Sequence, residues 1–491
     1  MITQSRFEHT RKPRFFAAAA VLLTAAILVG TSGTSSAAPC DIYASAGTPC
    51  VAAHSTTRAM FDAYNGPLYQ VRRSSDNATR DIGLLSAGGT ADAAAQDSFC
   101  AGTTCLISII YDQSGRRNHL TQAPPGGFRG PAAGGFDNLA NATAAPITIG
   151  GRKAYGVFVA PGTGYRNNAT SGIATGSASQ GVYMVAAGGH VNSGCCFDYG
   201  NAETNSRDNG NGRMGAVYFG TLCWFGFVVP GQCIGSGPWV MADLENGLFA
   251  GANGTNTNNT GRNSPFVTAM IKMNSTSYAI KDGNANSGGL KTDYSGPLPT
   301  TSGYTPLRLE GAIILGIGGD NSNGSAGTFY EGVMTSGFPS DAAENAVQAN
   351  IVAAGYGQSS GGTRTGPIVS GLNAAKCVDD NNAAATPGNK VQIFDCNGFA
   401  GAQSWTINSN GTITIDGGCL DITGNNSANG TLVEWWPCNG GANQQWRAVN
   451  GQLVNPATGK CLDDPAGITT NGTQLQIWSC SGASNQQWRV P

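Results

Sequence analysis

The chain is poor in charge. Only 11% of its 491 residues are Asp, Glu, Lys or Arg, less than half the usual share of about 25%. It has no Lys/Arg-rich run, so nothing in it is built to hold phosphates, and nucleic acid is excluded as a partner. Histidine is scarcer still. Of four, one falls in the first 38 residues, leaving His54, His119 and His190. That scarcity argues against a histidine-rich metal centre and weakens any Ser–His–Asp reading; each histidine reads as a surface or hydrogen-bonded residue. No Cys-x-x-Cys occurs, which leaves a zinc ribbon or a thioredoxin-type site unsupported. Neither a metal nor a cofactor is expected. No apolar run after residue 38 is long enough to span a bilayer, so no membrane partner is expected.

The amino terminus reads as an export signal over residues 1–38. Arg6, Arg11, Lys12 and Arg14 form its basic part, Phe15 to Val29 its apolar part, and Ser36-Ala37-Ala38 supplies small residues for cleavage. The segment carries four basic residues and one acid, so the formal charge of −2 for the whole chain becomes about −5 without it. A neutral partner fits such a surface. The 14 cysteines, all beyond the signal, suit a secreted, extracellular protein with up to seven disulfides.

With 72 glycines, residues 39–357 read as short strands between tight turns. Leu106–Tyr111, Gly181–Val185 and Ala312–Ile317 are strand-like. Asp341–Ala354 is the one helical stretch, with Asp341 placed to cap it and Gly355 to end it. That much β text suits two packed sheets. Residues 358–367 lie in a Gly/Ser/Thr-rich linker.

Residues 368–491 are a repeat. Cysteines fall at 377 and 396, 419 and 438, and 461 and 480, with units 42 residues apart, each ending in Gln-x-Trp at Trp405, Trp446 and Trp488. One unit cannot bury a core alone; three can close around a pseudo-threefold axis. Disulfides Cys377–Cys396, Cys419–Cys438 and Cys461–Cys480 would each clip one unit, adding about 3 kcal/mol in the chain-entropy model. The three Gln-x-Trp tryptophans read as core.

One stretch stands out in the β region: Pro238 to Phe249, PWVMADLENGLF. If it is a strand, Asp243 and Glu245 stand on one face, two like charges side by side. The plain reading is a solvated strand face. Asp320, in Gly318-Gly-Asp-Asn-Ser-Asn323, would by itself be an ordinary turn residue. On residues alone, the adjacent Cys195 and Cys196 would pair with different distant cysteines.

The repeat resembles the ricin B-type lectin β-trefoil, the family 13 carbohydrate-binding module. The resemblance implies a sugar subsite in the third unit from Asp463, Gln476, Trp478, Asn485 and Gln486. A second would use Asp421, Trp436, Asn443 and Gln444, with Glu434 in place of Gln. The first unit keeps Asp379, Gln392 and Gln403 but has Phe394 for Trp and Ala402 for Asn, which ranks it last. Such a set makes sense: an aromatic face stacks on the sugar ring while carboxylate and amide groups take its hydroxyls.

Residues 39–357 resemble the catalytic domain of glycoside hydrolase family 54 α-L-arabinofuranosidases. The segments that carry this are PCDIYASAGTPCVAAHSTTRAMFDAYNGPLYQVRR, DSFCAGTTCLISIIYDQSGRRNHL, CCFDYGNAE, GPWVMADLENGLF and GGDNSN, in that order. The resemblance implies a two-sheet β-sandwich of the lectin/glucanase kind, with Glu245 as nucleophile and Asp320 as acid/base. It implies a sugar pocket from Cys195, Cys196, Trp224, Asp243, Asn246 and Gly319. It also implies bridges Cys40–Cys50, Cys100–Cys105 and a vicinal Cys195–Cys196. Cys223 and Cys233 fall outside the family pattern; they flank CWFGFVVPGQC and are expected to bridge each other. The resemblance further departs in its trefoil, since fungal members typically carry an arabinose-binding family 42 module.

The sequence therefore reads as an all-β enzyme, a β-sandwich followed by a β-trefoil. It is expected to be an exported, retaining, monomeric α-L-arabinofuranosidase that trims arabinofuranose side chains from plant cell-wall arabinoxylan or arabinan. Two alternatives stand beside it: a secreted lectin without catalysis, and a glycosidase of other specificity, such as a xylanase.

Overall fold

The computed structural model describes residues 1–4, 37–223, 233–251, 254–300, 303–357, 364–408, 411–449 and 451–491. Most of the expected signal, residues 5–36, and Trp224 lie outside the described residues. Met1–Ser36 is a unit separate from Ala37–Pro491, and the architecture that follows belongs to the latter.

Two antiparallel sheets make up the larger part. The first runs Cys50–Ser55, Gly327–Ser336, Gln180–Ala187, Phe266–Met273, Ser277–Asn284, Ser287–Pro297 in spatial order. The second, ten strands wide, begins Leu248–Phe249, Trp239–Asp243, Gly215–Gly220, Asp198–Ala202, Ala312–Leu315, Tyr165–Asn167. Their facing sides share one core, with Val182 of the first sheet and Val217, Phe219, Val240 and Ala242 of the second among its buried residues. Gln180 ties the sheets through polar groups: its Nε2 donates to the Gly215 carbonyl (2.8 Å), and its Oε1 accepts from Asn201 (3.0 Å).

Successive residues on a strand point to opposite faces. With Val217, Val240 and Ala242 turned to the core, Tyr218, Met241 and Asp243 turn the other way. A second apolar cluster of Cys196, Tyr218, Trp239, Met241, Leu248 and Ala250 covers them. All three strands Asp198–Ala202, Gly215–Gly220 and Trp239–Asp243 are buried along their full length. Gly215–Gly220 and residues 239–242 accordingly read as apolar runs, whereas Asp198–Ala202, DYGNA, carries Asp198 and Asn201 into the buried layer.

The helix Asp341–Ala354 is present with the expected bounds, but Asp341 does not cap it. Ser340 is the cap, its Oγ accepting from the Ala343 amide (3.2 Å). Asp341 instead takes Lys272 (2.5 Å) and Lys281 (2.7 Å) of the adjacent strands. Gly355 closes the helix at φ 72°, a left-handed conformation that favours glycine. A fully buried carboxylate, Glu331, accepts a two-pronged pair from Arg58 (2.5 and 2.7 Å) and hydroxyls from Tyr183 and Tyr356. Arg58 also donates to Asn350 of the helix (2.7 Å). His54, His119 and His190 are hydrogen-bonded; His54, fully buried, lies between the Tyr199 hydroxyl and the Asn118 carbonyl.

Arg364–Gly366, inside the stretch whose composition reads as linker, pairs with Trp405–Ile407. Beyond it the three repeats superimpose in their bonding. Trp405, Trp446 and Trp488 are buried, and each indole N–H donates to a backbone carbonyl, Val378, Leu420 and Leu462 respectively, at 2.9–3.0 Å. These acceptors, like the tryptophans, recur once per repeat, so one hydrogen bond locks each unit onto the shared core.

All fourteen cysteines are bridged: Cys40–Cys50, Cys100–Cys105, Cys195–Cys196, Cys223–Cys233, Cys377–Cys396, Cys419–Cys438 and Cys461–Cys480.

Arg58→Ala would leave Glu331 buried without its cation. It should cost about 3–5 kcal/mol of sandwich stability, the usual loss when one partner of a buried pair is removed, measured by urea denaturation. An unchanged midpoint would contradict this placement.

Candidate active site

Trp239–Asp243 ends as a strand at Asp243, so the same-face argument for Asp243 and Glu245 does not hold. The chain turns at Leu244–Gly247 and returns as Leu248–Phe249, with Asp243 opposite Leu248. Glu245 and Asn246, the central residues of the turn, have φ of 65° and 56°. Two successive positive values are what a type I′ hairpin needs, and Asn-Gly or Asp-Gly usually supplies them. A glutamate there is strained, and strain of this kind gathers at functional sites. Asp243 helps fix the turn, its Oδ1 accepting from the Glu245 amide (3.0 Å). The two acids meet through a turn, not a pleat.

Glu245 and Asp320 both line a cavity of about 420 Å³, together with Phe128, Ser193, Cys195, Leu222, Asp243, Asn246, Gly318, Gly319 and Ser322. Of the expected pocket residues, Cys195, Asp243, Asn246 and Gly319 are therefore on its wall. Cys196 is buried behind Cys195, against Tyr218 and Met241. The loop that carries Asp320 is held from outside. Its backbone carbonyl accepts from the Phe128 amide (3.2 Å), and Asp137 takes the side chains of Asn321 (3.2 Å) and Asn323 (2.5 Å). Burial raises Asp137 to about 6, opposed by those two amides.

Three further residues belong to the site. Asp198 opens the strand Asp198–Ala202 and Glu203 follows its end. Both are fully buried. Asp243 adds its negative charge to what burial does to Asp198, and Glu203 to what burial does to Glu245; the Oε2 atoms of Glu203 and Glu245 both crowd the spot where a Cβ on Gly319 would sit. Among the described residues no amide, hydroxyl or cation donates to the carboxylate oxygens of either. Acids this close and this buried cannot all be ionised, so protons stay bound among them. Burial and mutual repulsion raise Asp198 and Glu245 well above the ordinary carboxylate range; burial raises Asp243 and Glu203 as well. The counterion is Arg166, buried to 1% exposure. Its guanidinium donates to the backbone carbonyls of Gly319 (2.8 Å) and Glu203, and to Asn168 Oδ1 (2.6 Å). A Cβ on Gly319 would displace the carboxyl ends of both Glu203 and Glu245, so glycine leaves room for them. The one hint in the sequence is that both acids lie in the segment CCFDYGNAE, already singled out for its cysteines; nothing local marks their partners.

Glu203, Asp208 and Glu245 each offer an oxygen within 4.8 Å of the others, a grouping that could hold a cation. The other such grouping, Cys195, Cys196 and Asp243, has its sulfurs tied up in a disulfide and offers no thiolate.

In the trefoil, Asp463 accepts from Gln476 (2.8 Å), Asn485 (2.9 Å) and Gln486 (2.9 Å). Asp421 accepts from Asn443 (2.9 Å) and Gln444 (2.7 Å), but Glu434 faces it across the strand pair where the other units have a Gln donor. Asp379 accepts from Gln392 (2.8 Å) and Gln403 (2.9 Å). Trp478 and Trp436 are 43% and 39% exposed, unlike the core tryptophans.

A sandwich whose sheet ends in paired acids at a sugar-sized cavity, followed by a trefoil with exposed aromatics, has the makings of a modular carbohydrate-active protein. Comparison with known proteins specifies which. The family profile "Alpha-L-arabinofuranosidase B, catalytic" matches residues 39–357, and that of the ricin-type β-trefoil lectin domain matches 364–488. A probable α-L-arabinofuranosidase B of Aspergillus fumigatus is 64% identical over 392 residues, 79% of this chain and 74% of that one. Its counterpart in Aspergillus terreus is 65% identical over 348 residues, 70% of this chain and 67% of the other. A solved GH54 α-L-arabinofuranosidase soaked with a cyclic sulfate inhibitor is 42% identical, with a TM-score of 0.63, covering 90% of this chain and 99% of its own. The chain belongs to the α-L-arabinofuranosidase B family, and is a glycoside hydrolase of that type with a ricin-type trefoil.

Asp198→Asn would put a neutral group beside Asp243 without needing a bound proton. In the wild type the folded pair holds a proton that the unfolded carboxyls release above about pH 4. Wild-type stability therefore falls as pH rises, by up to about 1.4 kcal/mol per unit, until the folded pair itself ionises. Thermal unfolding between pH 5 and 8 should show Asp198→Asn gaining on the wild type as pH rises. Parallel curves would contradict the retained proton.

Proposed function

We propose that this chain is an exported, retaining enzyme that releases terminal, non-reducing α-L-arabinofuranose from the side chains of arabinoxylan or arabinan. The observation that carries the reading is the convergence of Glu245 and Asp320 on one small cavity. Glu245 attacks C1 of the arabinofuranose while Asp320 protonates the departing oxygen, leaving a glycosyl ester on Glu245. Asp320 then takes a proton from water, which attacks C1, and Glu245 leaves as carboxylate. Asp243 and Asn246 accept or donate to sugar hydroxyls. Cys195 offers a flat, apolar wall. A cavity of about 420 Å³ is at the small end of ligand sites. It suits one terminal sugar better than a long chain, which favours this reading over a xylanase. A related arabinofuranosidase has been solved with arabinofuranosyl-α-1,2-xylobiose (42% identical, TM-score 0.63), in keeping with arabinose on a xylan backbone.

The catalytic domain spans residues 39–357 and the lectin domain 368–491, joined through 358–367. The lectin domain tethers the enzyme to polysaccharide and raises its local substrate concentration. Its third unit, with all donors on Asp463 and Trp478 exposed, binds best. Seven disulfides favour an extracellular setting, and the enzyme acts as a monomer.

Glu245→Ala and Asp320→Ala should each lower kcat on an aryl arabinofuranoside by at least about a thousandfold. Added azide should restore turnover to Glu245→Ala as an arabinosyl azide of inverted configuration. Near-wild-type turnover in either variant would refute the assignment. Trp478→Ala should weaken retention on insoluble arabinoxylan and leave kcat on the aryl substrate unchanged; equal retention would remove the third unit from the tether.

A further inference from the structure

Among the described residues on the cavity wall, Phe128 is the one aromatic, and nothing in the double-displacement chemistry uses it. It is 51% exposed. An exposed phenyl ring is common on a protein surface; this one is fixed against Asp320. The Phe128 amide donates to the Asp320 carbonyl (3.2 Å), and the Phe128 carbonyl accepts from the Gly126 amide (2.9 Å). Between them the Gly127 amide donates to the Ser206 carbonyl (2.7 Å). A Cβ on Gly127 would lie 2.9 Å from the Asp320 carbonyl oxygen and 3.4 Å from the Asp320 Cβ, so the backbone here runs flush against that residue. The loop is tied shut behind Phe128. The Asp137 amide donates to the Ala123 carbonyl (3.0 Å), and the Asp137 carboxylate holds the side chains of Asn321 and Asn323, which follow Asp320. Arg129 turns back onto its own loop, donating to the Gly134 carbonyl (3.2 Å). Phe128 is thus the side chain that this loop gives to the cavity.

That attachment fixes the side of the reaction on which the ring stands. Asp320 hands its proton to the oxygen joining the arabinose to the next sugar. The oxygen must come within hydrogen-bond reach of the Asp320 carboxyl, so the sugar beyond it lies beside Asp320. Glu245 takes C1 from the opposite face. We propose that Phe128 is the platform for this second sugar, and that it takes a pyranose, the xylose unit bearing the arabinose, in preference to another arabinofuranose. This rests on Glu245 and Asp320 acting as nucleophile and acid/base. The preference comes from shape. A xylopyranose chair carries its hydroxyls at the rim and has no exocyclic carbon, so both its faces present C–H groups to a phenyl ring. A furanose is smaller, puckered, and carries its CH2OH out of the ring plane, so it covers less of the same surface. Phe128 offers the sugar no hydrogen bond. It holds the ring while Asp320 meets the oxygen. Such contact is made before bond cleavage as well as during it, so it acts on kcat/KM through KM.

Phe128→Ala and Phe128→Leu are compared with wild type on arabinofuranosyl-α-1,2-xylobiose, α-1,5-L-arabinobiose and methyl α-L-arabinofuranoside. The methyl leaving group is too small to cover a platform. The readout is kcat/KM on each oligosaccharide divided by that on the methyl glycoside, so a displaced Asp320 loop or a loss of folded protein cancels. In Phe128→Ala the xylobioside ratio should fall about tenfold, with the loss in KM, and the arabinobiose ratio by no more than about threefold. Phe128→Leu keeps apolar bulk without the flat face, and its xylobioside ratio should fall by at least about threefold. A xylobioside ratio within about twofold of wild type in either variant would overturn the platform and leave Phe128 a brace for the Asp320 loop. An equal fall on both oligosaccharides would overturn the preference for a pyranose. Failure of the underlying reading looks different: Glu245→Ala or Asp320→Ala would keep wild-type turnover on the methyl glycoside, and the platform would fall with it.

Discussion

Asp198, Glu203, Asp243, Glu245 and Asp320 crowd into one site whose counterion is Arg166, and four of the five are buried. Like charges at such spacing in a low-dielectric site cannot all ionise. The protein meets this by pairing them. Asp198 stands with Asp243 and Glu203 with Glu245, and a proton kept in each pair relieves their mutual repulsion. Much of the surrounding sequence serves that arrangement. Gly200 and Ala216 lie in adjacent strands between Asp198 and Asp243, and a Cβ on Gly200 would strike Ala216. Gly319 leaves room for the second pair. Three strands buried on both faces supply a rigid floor.

The catalytic groups themselves sit on strained or tethered loops at the edge of that floor. Glu245 occupies a left-handed position normally given to asparagine or glycine. The Asp320 loop hangs on Asp137 through two asparagines. The Arg58–Glu331 pair anchors the opposite sheet and its helix, so the elements that carry chemistry need not also carry the fold. The trefoil is stabilised by its own tryptophans and three disulfides.

The architecture was legible in the sequence because it is written as period and spacing. The 42-residue repeat, the Gln-x-Trp ends and the even cysteines define the trefoil. The strand-and-turn text defines the sandwich. The helix was found at its observed bounds, yet its cap was misread: Asp341 can cap, but it lies between two lysines brought in by strands about 60 to 70 residues away, leaving the role to Ser340. The Asp243–Glu245 pair was found for a reason that the structure corrects. Alternation along a strand was assumed, whereas the strand stops at Asp243 and a hairpin turn brings Glu245 back. Asp198 and Glu203 went unremarked because their partners are 45 and 42 residues further on, and such pairing across strands leaves no local pattern. Arg166 was invisible for the same reason, since its contacts are long-range backbone carbonyls.

The account turns on where two protons lie. Neutron diffraction from the perdeuterated protein near neutral pH, with no ligand bound, would locate them. One deuteron is predicted on the Asp198–Asp243 pair and one on the Glu203–Glu245 pair. Two bare carboxylates in either pair would contradict it.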